Sequence, residues 1–121
     1  MKILVTGGAG FIGSQLVTQL LSQKHKVVVY DNLSTGHMKF LEPIINSDRF
    51  RFVEADLLDT EQLDHVMQNV DFVWHLAANA DVRFGTQHPR RDLEQNTIVT
   101  ANVLEAMRQN NVKKISFSST G

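Results

Sequence analysis

The residues best suited to chemistry lie near the amino terminus, in Thr6-Gly7-Gly8-Ala9-Gly10-Phe11-Ile12-Gly13-Ser14. Gly8, Gly10 and Gly13 fit G-x-G-x-x-G, and Gly7, Gly10 and Gly13 fit G-x-x-G-x-x-G. Glycines so spaced permit a tight turn out of a strand, a close approach of backbone to pyrophosphate, and close packing of a helix on the strand. The helix that follows directs unpaired N–H groups and the positive end of its dipole at the same point, so the chemistry is anion binding. Either pattern alone is a weak signal. Asp31 strengthens it, because about 20 residues on, at the end of the next apolar run, a carboxylate accepts hydrogen bonds from the 2′- and 3′-hydroxyls of a ribose. The same charge repels a 2′-phosphate, which points to NAD over NADP. No Gly-Lys-Ser/Thr follows the glycines, so a triphosphate-binding loop fits less well.

The elements that must position these residues follow from hydrophobic periodicity. Residues 2–6 form a short apolar strand, and Ile12, Leu16 and Leu20, with Val17 and Leu21 beside them, form a helical stripe. Residues 26–31 (KVVVYD) and 50–55 (FRFVEA) read as two further strands. The polar, turn-rich stretch between them has room for a short helix over 38–41, before Pro43. Asp59 and Gln62 resemble a capping box that opens a helix with Leu63, Val66 and Met67 inward. Residues 71–76 are a fourth strand. The longest helical pattern runs over 91–110, with Leu93, Ile98, Ala101, Leu104 and Met107 on one side. Asn110 and Asn111 end it, and a fifth strand covers 112–117. Runs such as VVVY are tolerated only where a sheet is buried on both faces. The pattern therefore predicts an α/β fold, a Rossmann-type doubly wound parallel sheet of about five strands.

At 121 residues and 13.7 kDa the chain is sized for one domain, here residues 1–121, with no repeat or linker. Its 12 Lys+Arg against 13 Asp+Glu leave a net charge of −1, with no bulk field to hold nucleic acid or an anionic membrane. The absence of cysteine excludes disulfides, thiolate metal sites and cysteine nucleophiles, and no metal site is expected. The sequence MKILVTGGAGFIGS does not read as a secretory signal, and no apolar run approaches the about 18 residues of a membrane span. A soluble, cytoplasmic protein is expected.

Six segments in order carry a further signal: VTGGAGFIGS, YDNLSTG at 30–36, ADLLD at 55–59, HLAANADVR at 75–83, NTIVTANVLEAM at 96–107 and KKISFSSTG at 113–121. Together they resemble the extended short-chain dehydrogenase/reductase family. Within it they are most similar to NAD-dependent nucleotide-sugar epimerases and dehydratases of the UDP-glucose 4-epimerase kind. The resemblance implies a pyrophosphate over Gly7, Gly10, Phe11, Ile12 and Gly13, and an adenosine ribose on Asp31 with Asn32 nearby. It implies that Ser34, Thr35 and Gly36 complete the adenosine side and that Asp56 and Leu57 meet the adenine. Ala77 and Ala78 would lie near the nicotinamide ribose, Asn96 near the site, and Ser118 and Ser119 along the nicotinamide. Thr120 matches the Ser or Thr that hydrogen-bonds the sugar hydroxyl being oxidised. Plainer readings stand beside these. Asp56 could simply start a turn, Arg83 could be solvated, Trp74 reads as core, and His75 reads as a satisfied histidine at the end of a buried strand.

In the resembled family, proton transfer belongs to a Tyr-x-x-x-Lys pair downstream of the Ser/Thr position. The chain's one tyrosine, Tyr30, directly precedes Asp31 and cannot be that base. The expectation is therefore the NAD-binding, N-terminal portion of an epimerase, truncated after the fifth strand, without the catalytic pair or the nucleotide-sugar-binding part. The parent reaction would pass a hydride to NAD, giving a keto-sugar, and return it. The chain alone is expected to be inactive, and a sheet face left without its cover after the fifth strand is expected to favour self-association or reduce stability. Alternatives are a dehydratase or reductase of the same family, or a non-catalytic NAD-binding module.

Overall fold

Alternate residues of a strand point to opposite faces, and in the computed structural model, which describes residues 1–33, 36–77 and 97–117, each face carries its own buried cluster, while Phe52, Phe72 and Trp74 are only partly buried and Phe117 is exposed. In chain order the elements are β1 (Lys2–Thr6), α1 (Phe11–Ser22), β2 (Lys26–Asp31), a 3₁₀ segment (Met38–Ile44), β3 (Phe50–Glu54), α2 (Thr60–Val66), β4 (Phe72–His75), α3 (Val99–Gln109) and β5 (Ile115–Phe117). The strands pair in the order β3-β2-β1-β4-β5, and every pairing is parallel. The expected doubly wound sheet is thus present. Its winding reverses between β1 and β4, where Thr6 lies opposite Tyr30 on one side and His75 on the other. Ligands of such sheets bind outside the carboxyl ends of the strands at that reversal.

Ile3, Val5, Val27 and Val29 face α1, where Val17, Leu20 and Leu21 cover them with Leu41 of the 3₁₀ segment. Leu4, Val28, Tyr30 and Val73 face the other way, onto Leu63, Val66 and Met67 at α2 and Val99, Val103, Ala106 and Met107 of α3. No helix among the described residues is long and apolar enough to cross a membrane.

Several local expectations are corrected. On α3 the buried stripe is Val99, Val103, Ala106 and Met107, whereas Ile98, Ala101 and Leu104 are exposed, and Leu93 lies outside the described residues. Steps of three residues drift by about 60° each around a helix of 3.6 residues per turn, so a row drawn at that spacing winds from one face to the other. The 3₁₀ segment runs through Pro43 to Ile44 instead of stopping before it. The capping box is half closed, with the Asp59 side chain accepting the Gln62 N–H while the Asp59 N–H donates to the Asp56 carbonyl. Strands β3, β4 and β5 are each shorter than their apolar runs by one to three residues at an end.

Candidate functional site

Gly7 follows β1 with φ +72°, a conformation that L side chains rarely adopt. A Cβ on Gly7 would stand 2.8 Å from the Ala77 nitrogen, so the end of β4 lies directly against the glycine turn. A Cβ on Gly13 would stand 2.6 Å from the Gly7 carbonyl oxygen, which fixes the close packing of α1 on the turn. Gly10 is different, because a Cβ there would meet only the Gly7 oxygen, at an ordinary 3.5 Å. The protein's own packing does not demand glycine at position 10, and the space beside it is open to a ligand.

Gly10 caps α1 without a side-chain hydrogen bond, and no hydrogen bond among the described residues takes up the N–H of Phe11, Ile12 or Gly13. The side chains of Phe11 and Ile12 are exposed. Unpaired donors at the positive end of a helix dipole form a site for an anion.

Asp31 lies beside this opening at the end of β2 and is buried. Its Oδ2 accepts the Ala9 N–H at 3.0 Å and its Oδ1 accepts the Leu33 N–H at 2.8 Å. The Ala9 carbonyl in turn accepts the His37 N–H at 3.0 Å, and Gly36 packs so closely on Ala9 that a Cβ would stand 3.0 Å away. Glycine turn, carboxylate and following loop are therefore one unit. Each carboxylate oxygen keeps acceptor capacity for a further hydroxyl. Donors, open space and carboxylate together fit the pyrophosphate and ribose of a dinucleotide.

At the end of β3, Asp56 does start a turn, with its Oδ1 accepting the Leu58 N–H at 2.9 Å and its carbonyl accepting the Asp59 N–H at 3.0 Å. Its side chain is exposed on the same rim as Asp31. Leu57 is buried in the core, so that its side chain is turned away from any ligand. Asn102 of α3 donates to the Leu57 carbonyl at 2.9 Å, a support that sequence reasoning missed although its signal was an amide inside the segment NTIVTANV. Tyr30 is fully buried and donates to the Asp56 carbonyl at 2.6 Å. Burial, with the charges of Asp59 and Asp56, drives its pKa far above the usual phenol value, which agrees with its exclusion as a base.

His75 is buried between two threonines, its Nδ1 at 2.6 Å from Thr6 Oγ1 and its Nε2 at 3.2 Å from Thr100 Oγ1. It is the satisfied histidine the sequence suggested, and burial lowers its pKa. Trp74 packs with Phe72 against the α1-side core, ring centroids 5.6 Å apart. Gly7, Gly10, Phe11, Ile12, Gly13, Asp31, Gly36 and Ala77 thus converge on the carboxyl ends of β1, β2 and β4. Ser34, Thr35, Ala78, Arg83, Asn96, Ser118, Ser119 and Thr120 lie outside the described residues. Among the described residues no cluster of His, Asp and Glu could hold a metal ion.

The chain matches the family model described as the NAD dependent epimerase/dehydratase family over residues 3–121. It is 39% identical over 122 residues to the UDP-glucose 4-epimerase of Mycolicibacterium smegmatis, covering 100% of this chain and 39% of that protein. A solved UDP-glucose 4-epimerase from Thermotoga maritima, with UDP-glucose, superposes with a TM-score of 0.91 at 40% identity, covering 100% of this chain and 38% of that one. The UDP-glucose 4-epimerase of Stenotrophomonas maltophila, with bound NAD and formylated UDP-arabinopyranose, superposes with a TM-score of 0.92 at 34% identity, covering 100% and 37%. The chain spans less than two fifths of the length of these relatives.

Proposed function

Because this chain belongs to the NAD dependent epimerase/dehydratase family, we propose that it is the NAD-binding portion of a nucleotide-sugar epimerase of the UDP-glucose 4-epimerase kind. One observation carries the reading: N–H groups at the start of α1 that no described residue takes up lie by the open space at Gly10, next to a buried Asp31 carboxylate. The N–H groups of Phe11, Ile12 and Gly13 would hold the pyrophosphate. Asp31, with Asn32 nearby, would accept the ribose hydroxyls and disfavour a 2′-phosphate. Asp56 and the Leu57 backbone would meet the adenine, and Ala77 would line the nicotinamide side. Ser34, Thr35, Gly36, Ala78, Asn96, Ser118 and Ser119 would extend these contacts, and Thr120 would hydrogen-bond a sugar hydroxyl.

NAD, when bound, supplies a reversible hydride acceptor. Support comes from relatives solved with NAD or with UDP-glucose. The single tyrosine is held by the Asp56 carbonyl in the core, so these 121 residues offer no tyrosine base. We read them as unable to interconvert UDP-glucose and UDP-galactose alone, and turnover proportional to the purified chain's concentration would refute that part.

The test of the cofactor reading is calorimetric titration of the purified chain with NAD and NADP. Saturable NAD binding is expected, with NADP weaker by about tenfold or more. Gly10→Ala should weaken NAD binding by about tenfold or more while costing only about 1 kcal/mol of stability, since the protein leaves room for a Cβ there and the cost is that of the helix cap. A wild-type chain that does not bind NAD overturns the reading.

A further inference from the structure

The Thr6 hydroxyl oxygen stands where β1 meets β4 and serves three partners. It accepts the N–H of Leu76 at 3.2 Å and of Ala77 at 3.3 Å, and lies 2.6 Å from His75 Nδ1. Two accepted N–H groups use both lone pairs of a hydroxyl oxygen, so the hydroxyl proton points at Nδ1. Nδ1 is then the acceptor, the ring proton sits on Nε2, and Nε2–H donates to Thr100 Oγ1 on α3. Phe117 on β5 stands nearly perpendicular to the imidazole, with centroids 5.9 Å apart. Burial lowers the imidazole pKa and keeps this neutral form in place.

The Leu76 N–H has a second acceptor in the Thr6 carbonyl at 3.0 Å, whereas among the described residues the Ala77 N–H is held by the Thr6 hydroxyl alone. Ala77 is also the residue that presses on Gly7 across the reversal of the sheet. We propose that His75 is a positioning residue of the dinucleotide cleft: as the Nε2–H tautomer it orients the Thr6 hydroxyl, which holds Ala77 at its spacing from the glycine turn. The cleft's role here rests on the NAD reading above, but the positioning itself does not. Sequence periodicity explains a buried residue at position 75; it does not explain why that residue is an imidazole bonded on both nitrogens.

The test uses His75→Phe, which keeps a buried ring without the nitrogens, and Thr6→Val, which keeps the branched shape without the hydroxyl. Thr6→Ser restores the hydroxyl. Amide hydrogen exchange at Ala77 reads positioning with no ligand present. It is expected to quicken by about tenfold in both His75→Phe and Thr6→Val, the loss of one net hydrogen bond, and to return towards wild type in Thr6→Ser. NAD affinity should fall by about tenfold in the same two variants. The double variant should bind no worse than the weaker single one, because both changes cut the same link. Nitrogen NMR of the imidazole should show Nδ1 unprotonated and Nε2 protonated. Unchanged Ala77 exchange in either His75→Phe or Thr6→Val overturns the inference, as does a proton on Nδ1. Should the wild type fail to bind NAD while Ala77 exchange still quickens, the NAD reading falls and the positioning role stands. If His75→Phe does not fold, Thr6→Val and Thr6→Ser decide it.

Discussion

At the carboxyl ends of the strands, Asp31 stands beside helix N–H groups that no described residue takes up, with Asp56 on the same rim; at the amino ends, Lys2, Lys24, Lys26, Arg49, Lys113 and Lys114 line two shallow clefts that share Asp71. The difference follows from helix polarity. Helix α1 presents its amino end to the first rim, and α1, α2 and α3 all present their carboxyl ends to the second. Several helix carbonyls at the second rim are met within the chain. Lys24 (φ +70°) and Asn111 (φ +58°) take the left-handed conformation just past α1 and α3. His25 N–H then returns to Leu20 O at 3.2 Å and Val112 N–H to Met107 O at 2.9 Å, the Schellman pattern. Lys2 Nζ donates to the Gln68 carbonyl at 3.0 Å, just past α2. Lys2 thus complements the carbonyl end of α2. A concentration of charge is not by itself a site; unmet backbone donors beside an anchored carboxylate are better grounds for one.

The comparison breaks first at Gly7. Gly7→Val would combine a left-handed backbone with contact at Ala77, and is expected to cost about 4 kcal/mol in urea unfolding. A loss below about 1 kcal/mol would mean that the turn relaxes freely and that its shape is not dictated by β4. Asp31→Asn comes next. An amide cannot accept both the Ala9 and the Leu33 N–H as the carboxylate does, so stability should fall by about 2 kcal/mol and NAD affinity with it. Retained stability together with lost affinity would assign Asp31 to the ligand alone.

Acid should act on the carboxyl rim through His75. Its folded pKa lies below the unfolded value of 6.5, so the unfolded chain binds the proton first as pH falls. Its contribution to stability is full above pH 6.5 and is lost progressively as pH drops towards the folded pKa. Thermal melts of wild type and His75→Phe between neutral and acid pH should converge over that window; parallel curves would show that the imidazole does not titrate there. The smallest effect belongs to the amino rim. Lys2→Met should cost at most about 1 kcal/mol, less at high salt, and leave NAD affinity unchanged. A drop in NAD affinity would erase the distinction between the two rims.

Much of the site was legible because its signals are local. The glycine spacing, the apolar strand before it and Asp31 at the end of the next strand are each short-range patterns that the backbone obeys directly. The α3 face was misread because the spacing of three used to trace it winds around a helix, and only the partners on α2 and the sheet select the Val99–Val103 row. The division of labour among the glycines was also hidden. Gly10 and Gly13 look alike in a motif, yet only the fold shows that one is crowded by the Gly7 carbonyl and the other faces open space.

By itself, then, the amino-acid order determined the strand and helix sequence, the parallel sheet and the glycine turn that opens α1, since periodicity, turn residues and charge act through neighbours along the chain. Tertiary structure decided the rest: that Asp31 is anchored by Ala9 22 residues away, that Thr6 and His75 meet across 69, and that Tyr30 spends its hydroxyl on Asp56. Those contacts depend on which strands become neighbours, and hydrogen bonds formed across a sheet leave no spacing along the chain from which they could be read.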